Sequence, residues 1–162
     1  MAPAADSVYV AVLGGGAPDA PGLEAAEAVG VGLARAGAVL VCGGLSGVME
    51  AACRGARGAG GTTLGILPGT DRAAANPWVE IAVPTGLGEL RNGLVVRAAD
   101  ALIAVGGGWG TLSEIGLALR VGKPVIGLES WELGGEGAPG EGMVVARDPE
   151  DAVERALRHA LS

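Results

Sequence analysis

The chain of 162 residues has no phenylalanine, one tyrosine, one histidine and two cysteines, and Lys123 is its lone lysine. Each shortage closes off a class of function. So few aromatic side chains leave no platform on which the bases of a single strand could stack. A net charge of −7, with the basic residues scattered, gives no cationic stripe for a phosphate backbone. Nucleic acid is therefore not an expected partner. Cys42 and Cys53 fall outside zinc-ligand and Cys-x-x-Cys spacings, and His159 lies in the last turn of the chain, so no metal centre and no resident cofactor are expected. Lys123 stands directly before Pro124, a poor context for the Schiff-base lysine of a pyridoxal enzyme. No apolar run approaches the roughly 20 residues of a membrane helix. The first apolar run has no basic region ahead of it and stops at Gly14, so it reads as a strand rather than a signal peptide. A soluble cytoplasmic protein without membrane contact is expected.

Glycine and small aliphatic residues are what the chain has instead. It holds 31 glycines, where average usage of roughly 7% would give about 11. They cluster between apolar runs without a short period, which excludes collagen and low-complexity linkers. With 49% hydrophobic residues, the core must be built from Val, Leu, Ile and Ala. The length suits a single domain over residues 1–162, and no linker divides it.

Short continuous apolar runs alternate with longer helical patterns. Val8–Leu13, Val39–Cys42, Thr63–Leu67, Val79–Val83, Ala101–Val105 and Val125–Leu128 read as strands buried on both faces. Helices are expected at about 22–36, 47–59, 87–98, 111–121 and 149–161. The alternation predicts right-handed crossovers and an α/β fold. Its form would be a doubly wound, Rossmann-like three-layer sandwich with a mostly parallel sheet, binding ligands beyond the carboxyl ends of the strands.

Three glycine clusters follow three of these strands: Gly14-Gly15-Gly16, Gly43-Gly44 with Gly47, and Gly106-Gly107-Gly108 with Gly110. A glycine turn opening a helix offers backbone N–H groups to an anion, although glycine also serves tight strand–helix turns. Three at one sheet edge point to a small-molecule phosphoester. NAD fits less well, because Gly14-x-Gly16 lacks the third glycine and the second strand ends in Val41-Cys42-Gly43-Gly44 without a ribose-binding acid. The P-loop Gly-Lys-Ser/Thr is absent too. Residues Gly134–Gly142 form a Gly/Pro/Glu loop with no evident chemistry.

Two charged residues stand out. Leu87, Leu90, Leu94, Val95 and Ala98 follow the spacing of one buried helical stripe, and Arg91 takes the remaining position of that stripe. A buried arginine needs a partner; the candidates are Glu114, Asp100, Glu50 or an anionic ligand, unless the side chain snorkels past the edge. Thr111-Leu-Ser-Glu114 reads either as a helix capping box or as part of a phosphate cradle with Glu114 as a site residue. Trp109, within the glycine loop, either walls the ligand pocket or packs. Trp78, Trp109 and Trp131 are possible anchors for a partner.

Arg91-Asn92, Ala99-Asp100-Ala101-Leu102-Ile103-Ala104 and Gly106-Gly-Gly-Trp-Gly-Thr-Leu-Ser-Glu114 resemble the LOG ("Lonely Guy") family of Rossmann-type nucleotide-binding proteins. That family is marked by Pro-Gly-Gly-x-Gly-Thr-x-x-Glu with an upstream Arg. The likeness extends to Val41–Met49 and Gly65-Ile-Leu-Pro68, and so covers nearly the whole chain. The resemblance implies a phosphoribohydrolase that cleaves the N-glycosidic bond of nucleoside 5′-monophosphates, of AMP or cytokinin ribotide type, to base and ribose 5-phosphate. It makes Arg91 and Glu114 the catalytic pair, with Arg91 favouring the ionised carboxylate. It gives the phosphate to Gly107, Gly108, Gly110 and Thr111, and it implies a homodimer or higher homo-oligomer. Gly106 in place of Pro, and Asn92 where the hydrolases carry Lys, resemble instead a neighbouring branch that includes the molybdenum-cofactor carrier proteins. That branch implies an alternative: a non-catalytic binding or carrier protein for a nucleotide or a phosphorylated cofactor such as molybdopterin.

Overall fold

A computed structural model describes residues 4–134 and 142–162. Seven strands form one sheet in the order β4-β3-β2-β1-β5-β6-β7, and every pairing is parallel. The strands are β1 (Tyr9–Gly14), β2 (Val39–Cys42), β3 (Thr63–Leu67), β4 (Ile81–Pro84), β5 (Ala101–Val105), β6 (Val125–Leu128) and β7 (Val144–Val145). The helices are α1 (Ala20–Arg35), α2 (Val48–Gly58), α3 (Asn92–Ala98), α4 (Trp109–Arg120) and α5 (Pro149–Ala160). The doubly wound α/β architecture is the one expected.

Strand alternation divides the core in two. Val10 and Val12 of β1 pack with Leu40, Ile103 and Ile126 beneath α1, α2 and α5. Ala11 and Leu13 point the other way, with Val41, Leu102 and Val125, beneath α3 and α4. Parallel strands covered on both faces have no polar side to show, which is why β2, β5 and β6 appear in the sequence as unbroken apolar runs.

The α1–α2 contact is unusually close. A Cβ on Gly30 would lie 2.0 Å from the carbonyl oxygen of Ala52, and one on Gly55 would lie 2.1 Å from that of Glu27. The two helices meet backbone to backbone, and a side chain at either position would force them apart.

Four expectations are corrected. First, β4 starts at Ile81, because Asn76 holds the preceding residues in a turn: its Oδ1 accepts from Trp78 N at 3.0 Å, and the Thr63 hydroxyl donates to Trp78 O at 2.6 Å. Ile81 and Val83 are exposed, since this edge strand lies beyond the reach of α3 and α4. Second, the 87–98 helix is split. Gly88 has φ +58°, so a single 3₁₀ turn over Gly88–Arg91 precedes α3. Third, Leu87, Leu90 and Leu94 do not form a buried stripe; all three are exposed, Leu90 at 79%. Fourth, α4 begins at Trp109 rather than Thr111, with Gly108 as N-cap. Glu114 therefore lies in the second turn and Thr111-x-x-Glu114 is no capping box. The short β7 was not anticipated. Residues 135–141 of the Gly/Pro/Glu loop lie outside the described residues. Among the described residues no helix is long and apolar enough to cross a membrane.

Candidate functional site

The strand order reverses about β1, which pairs with β2 on one side and β5 on the other. At such a switch point the loops leave in opposite directions and open a crevice at the carboxyl edge of the sheet. Here the crevice is a cavity of about 300 Å³, lined by Gly14, Gly15, Gly16 and Gly43 from the first two loops and by Arg91 and Asn92 from the start of α3. Gly108, Gly110, Thr111 and Glu114 line it from the third loop and α4. Met49 lies in the wall as well; it was missed, although it closes the Gly-Val-Met run after β2.

The glycines play two roles. A Cβ on Gly15, Gly108 or Gly110 would meet nothing within 4 Å, so these residues leave bare backbone at the cavity surface. The others are glycine because the packing demands it. A Cβ on Gly14 would lie 2.5 Å from Val48, and one on Gly43 would lie 2.6 Å from the Arg91 guanidinium. Gly107 adopts φ +115° with Thr111 2.5 Å from where its Cβ would be. Gly44 turns at φ +77° against Leu67 and does not line the cavity. Of the expected set, Gly14, Gly15, Gly43, Gly108, Gly110 and Thr111 line this cavity, and Gly44 and Gly107 do not.

The helix termini differ in a way that matters for anions. The α1 N-cap, Asp19, accepts from Gly22 N at 2.8 Å. The α4 N-cap is Gly108, with no side chain to do the same, so the first-turn amides of α4 remain free of a side-chain cap where Gly108, Gly110 and Thr111 border the cavity.

Arg91 is buried, at 8% exposure, and does not snorkel to solvent. One terminal nitrogen donates to Asn92 Oδ1 and the other to Gly43 O at 3.5 Å. Its Nε is buried without a hydrogen-bond partner. None of the three candidate carboxylates forms an ion pair with it among the described residues; Asp100 accepts instead from Tyr9 N at 2.8 Å. Both acceptors of Arg91 are neutral, so no ion pair among the described residues offsets the guanidinium in the cavity wall.

Glu114 is half-buried, and burial pushes its carboxyl up to about 7, with the Arg91 charge pulling less strongly the other way. Arg91 does favour the ionised form of Glu114, as expected, but desolvation outweighs that effect. Trp109 lies outside the cavity. It is 80% exposed, sits on a neighbouring groove with Leu90 and Leu117, and packs against Trp131 with ring centroids 5.9 Å apart. Beneath the site, the Cys42 and Cys53 sulfurs approach to 3.5 Å within the core. Their spacing in sequence hid this, because the β2–α2 turn folds one back over the other.

Comparisons with known proteins agree with this architecture. An uncharacterized protein of Archaeoglobus fulgidus is 42% identical over 150 residues, which cover 93% of this chain and 95% of the relative. The molybdenum cofactor binding protein of the phototrophic bacterium Rippkaea orientalis is similar in structure, with TM-score 0.86 and 34% identity over 98% of this chain and 100% of the other. The molybdenum cofactor carrier protein of Chlamydomonas reinhardtii gives TM-score 0.85 and 32% identity over 96% and 99% of the two chains. Residues 7–153 match the sequence pattern of the SLOG cluster4 family. The Rossmann-like sheet, the glycine-lined crevice at its switch point and this match across almost the whole chain agree: the protein belongs to the SLOG cluster4 family.

Proposed function

We propose that the protein binds and carries a phosphorylated small molecule of the molybdenum-cofactor kind without turning it over. The observation that supports this reading best is the Arg91 guanidinium, buried with an unpartnered Nε and no carboxylate paired to it, in the wall of a cavity lined by bare glycine backbone. A phosphate would supply the missing charge and accept from the Gly108–Thr111 amides. Glu114, whose carboxyl is raised to about 7 by burial, would in its protonated form donate a hydrogen bond to that phosphate rather than repel it. The solved structures that are similar over nearly the whole chain, named for molybdenum-cofactor binding and carriage, support the same reading.

A second reading, the nucleoside-monophosphate phosphoribohydrolase, is favoured by one observation. A carboxyl titrating near 7 suits a general base at neutral pH, and Glu114 could then serve the sugar carbon while Arg91 orients it. Incubation with a panel of nucleoside 5′-monophosphates, followed by chromatography for free base, separates the two. The carrier reading expects no base release, together with a thermal midpoint raised by the ligand. At a ligand concentration of about 100 Kd, mass action contributes about 2.7 kcal/mol. That is roughly 5–11 °C for a chain of this size. Base release that disappears in Glu114→Gln would overturn the carrier in favour of the enzyme.

We also infer self-association. Leu87, Leu90, Leu94, Ile81, Val83 and Trp109 are all exposed, and the strands place Ile81 and Val83 on the α3/α4 side of the sheet, in register with Leu64 and Ile66. A second copy of the chain covering this side would complete a layer that two helices leave unfinished.

A further inference from the structure

Beside the inner cavity lies a second, larger one of about 500 Å³, and Gly15 and Gly108 line both. A ligand held by its phosphate at Arg91 could therefore extend past these two glycines into the outer lobe. The charges of the two lobes are opposed. The outer lobe is lined by two carboxylates, Asp19 and Glu129, and by no cationic side chain. It would repel a phosphate, and so fixes the direction in which a phosphorylated ligand lies. Asp19 is already committed, because it caps α1. Glu129 is not: its carboxylate joins no ion pair among the described residues.

The backbone at Glu129 is costly. Its φ is +51°, and it is the one non-glycine residue with positive φ among the described residues. Glycine would adopt that conformation without a steric penalty. The turn is pinned in place: Ser130 Oγ donates to Gly106 O at 2.5 Å, and Gly106 N donates to Leu128 O at 3.1 Å. The chain thus sets a carboxylate at the rim of the glycine loop, in a conformation that a simple turn would give to glycine.

Resting on the anion reading of the inner cavity, we propose that the outer lobe seats a flat nitrogen heterocycle and that Glu129 determines which one. An ionised carboxylate only accepts hydrogen bonds, and its two oxygens match two parallel N–H donors. The 2-amino-4-oxopyrimidine edge shared by guanine and pterins presents such a pair, a ring N–H beside an exocyclic amino group. Hypoxanthine has the ring N–H but lacks the amino group, and adenine turns a ring lone pair toward the carboxylate. Glu129 would therefore favour the amino-oxo edge and disfavour the other two.

Titration calorimetry with ribose 5-phosphate, GMP, IMP, AMP and dihydroneopterin monophosphate tests this, with quenching of the Trp109–Trp131 pair as a second readout. GMP should bind at least tenfold more tightly than IMP or AMP. In Glu129→Gln that gap should shrink below threefold while ribose 5-phosphate affinity stays unchanged. Glu129→Gly should lose the same discrimination yet unfold at a higher temperature, which separates recognition from a folding defect. Tighter binding of the pterin phosphate than of GMP assigns the lobe to pterins, and the reverse order to guanine nucleotides. Equal affinities for GMP and IMP with ribose 5-phosphate bound, or a gap that survives in Glu129→Gln, would overturn the proposal and leave the anion site standing. Failure of ribose 5-phosphate and every nucleotide to bind would remove the anion reading, and this inference with it.

Discussion

Replacing Glu114 by Gln should stabilise the protein above neutral pH and leave it unchanged in acid. Burial holds the carboxyl near 7 in the folded chain, against an ordinary value of 4.5. A carboxyl raised in the folded state binds more protons there than in the unfolded chain between those two values, so stability falls as pH rises through that window. Below about pH 4.5 both states are protonated and nothing is lost. Above about 7 the folded state carries a desolvated carboxylate that the unfolded state hydrates. At ~1.36 kcal/mol per pH unit, the window from 4.5 to about 7 corresponds to roughly 3 kcal/mol. Because the side chain is only half-buried, solvent reduces this to about 2 kcal/mol. Glutamine has the same shape and no charge to desolvate. Thermal unfolding of both proteins from pH 4 to pH 8.5 should show midpoints that coincide at the acid end, diverge from about pH 4.5 and reach a constant offset above about pH 7. At about 2–4 °C per kcal/mol, the variant should lead by roughly 4–8 °C at pH 8.5. A variant that melts below the parent at pH 8.5, or an offset independent of pH, would refute the assignment of Glu114 as a desolvated carboxyl.

Other outcomes follow from the same geometry. Arg91→Met should fold, since it removes a buried charge whose Nε has no partner, but should lose protection by phosphate or nucleotides, read as an affinity decline of tenfold or more in calorimetry. Gly14→Ala should cost about 1–3 kcal/mol of stability, because its Cβ would lie 2.5 Å from Val48; Gly15→Ala, with open space around it, should melt like the parent and lose only ligand affinity. Leu90→Glu, on the exposed apolar face, should shift the protein toward monomer in light scattering while leaving the monomer folded.

The sheet was legible because a parallel strand buried on both faces must be apolar at every position; Val39–Cys42 and Ala101–Val105 could not be read otherwise. Edges escaped that logic. Ile81 and Val83 have the composition of a buried strand yet sit at a border no helix reaches. In the same way, Leu87, Leu90 and Leu94 keep helical spacing along a segment that Gly88 breaks. The candidate site was legible where one residue had no ordinary reason for its place, as with Arg91 among leucines. Its partners were not, since Gly43 lies 48 residues away in sequence. Thr111-Leu-Ser-Glu114 misled because a capping box is a local pattern, and where α4 starts was settled by the backbone of Gly107 and Gly108 before it. Glu129 carried no pattern of its own; its one signal was an acid directly after a buried strand, at the edge where the glycine loops gather.

The contact between α1 and α2 has a mechanical consequence. With Gly30 against the Ala52 carbonyl and Gly55 against that of Glu27, neither helix can slide or roll without its backbone colliding with the other. That side of the sheet is stiff. The opposite side rests on a seven-residue α3, entered through a one-turn 3₁₀ segment, and on α4, whose first turn has no side-chain cap. These differences predict that compliance is concentrated in the half of the molecule that holds Arg91 and Glu114. Adjustment to a bound ligand should occur as a hinge of α3 and α4 over a fixed floor, and amide hydrogen exchange should slow there on binding while α1 and α2 stay protected throughout.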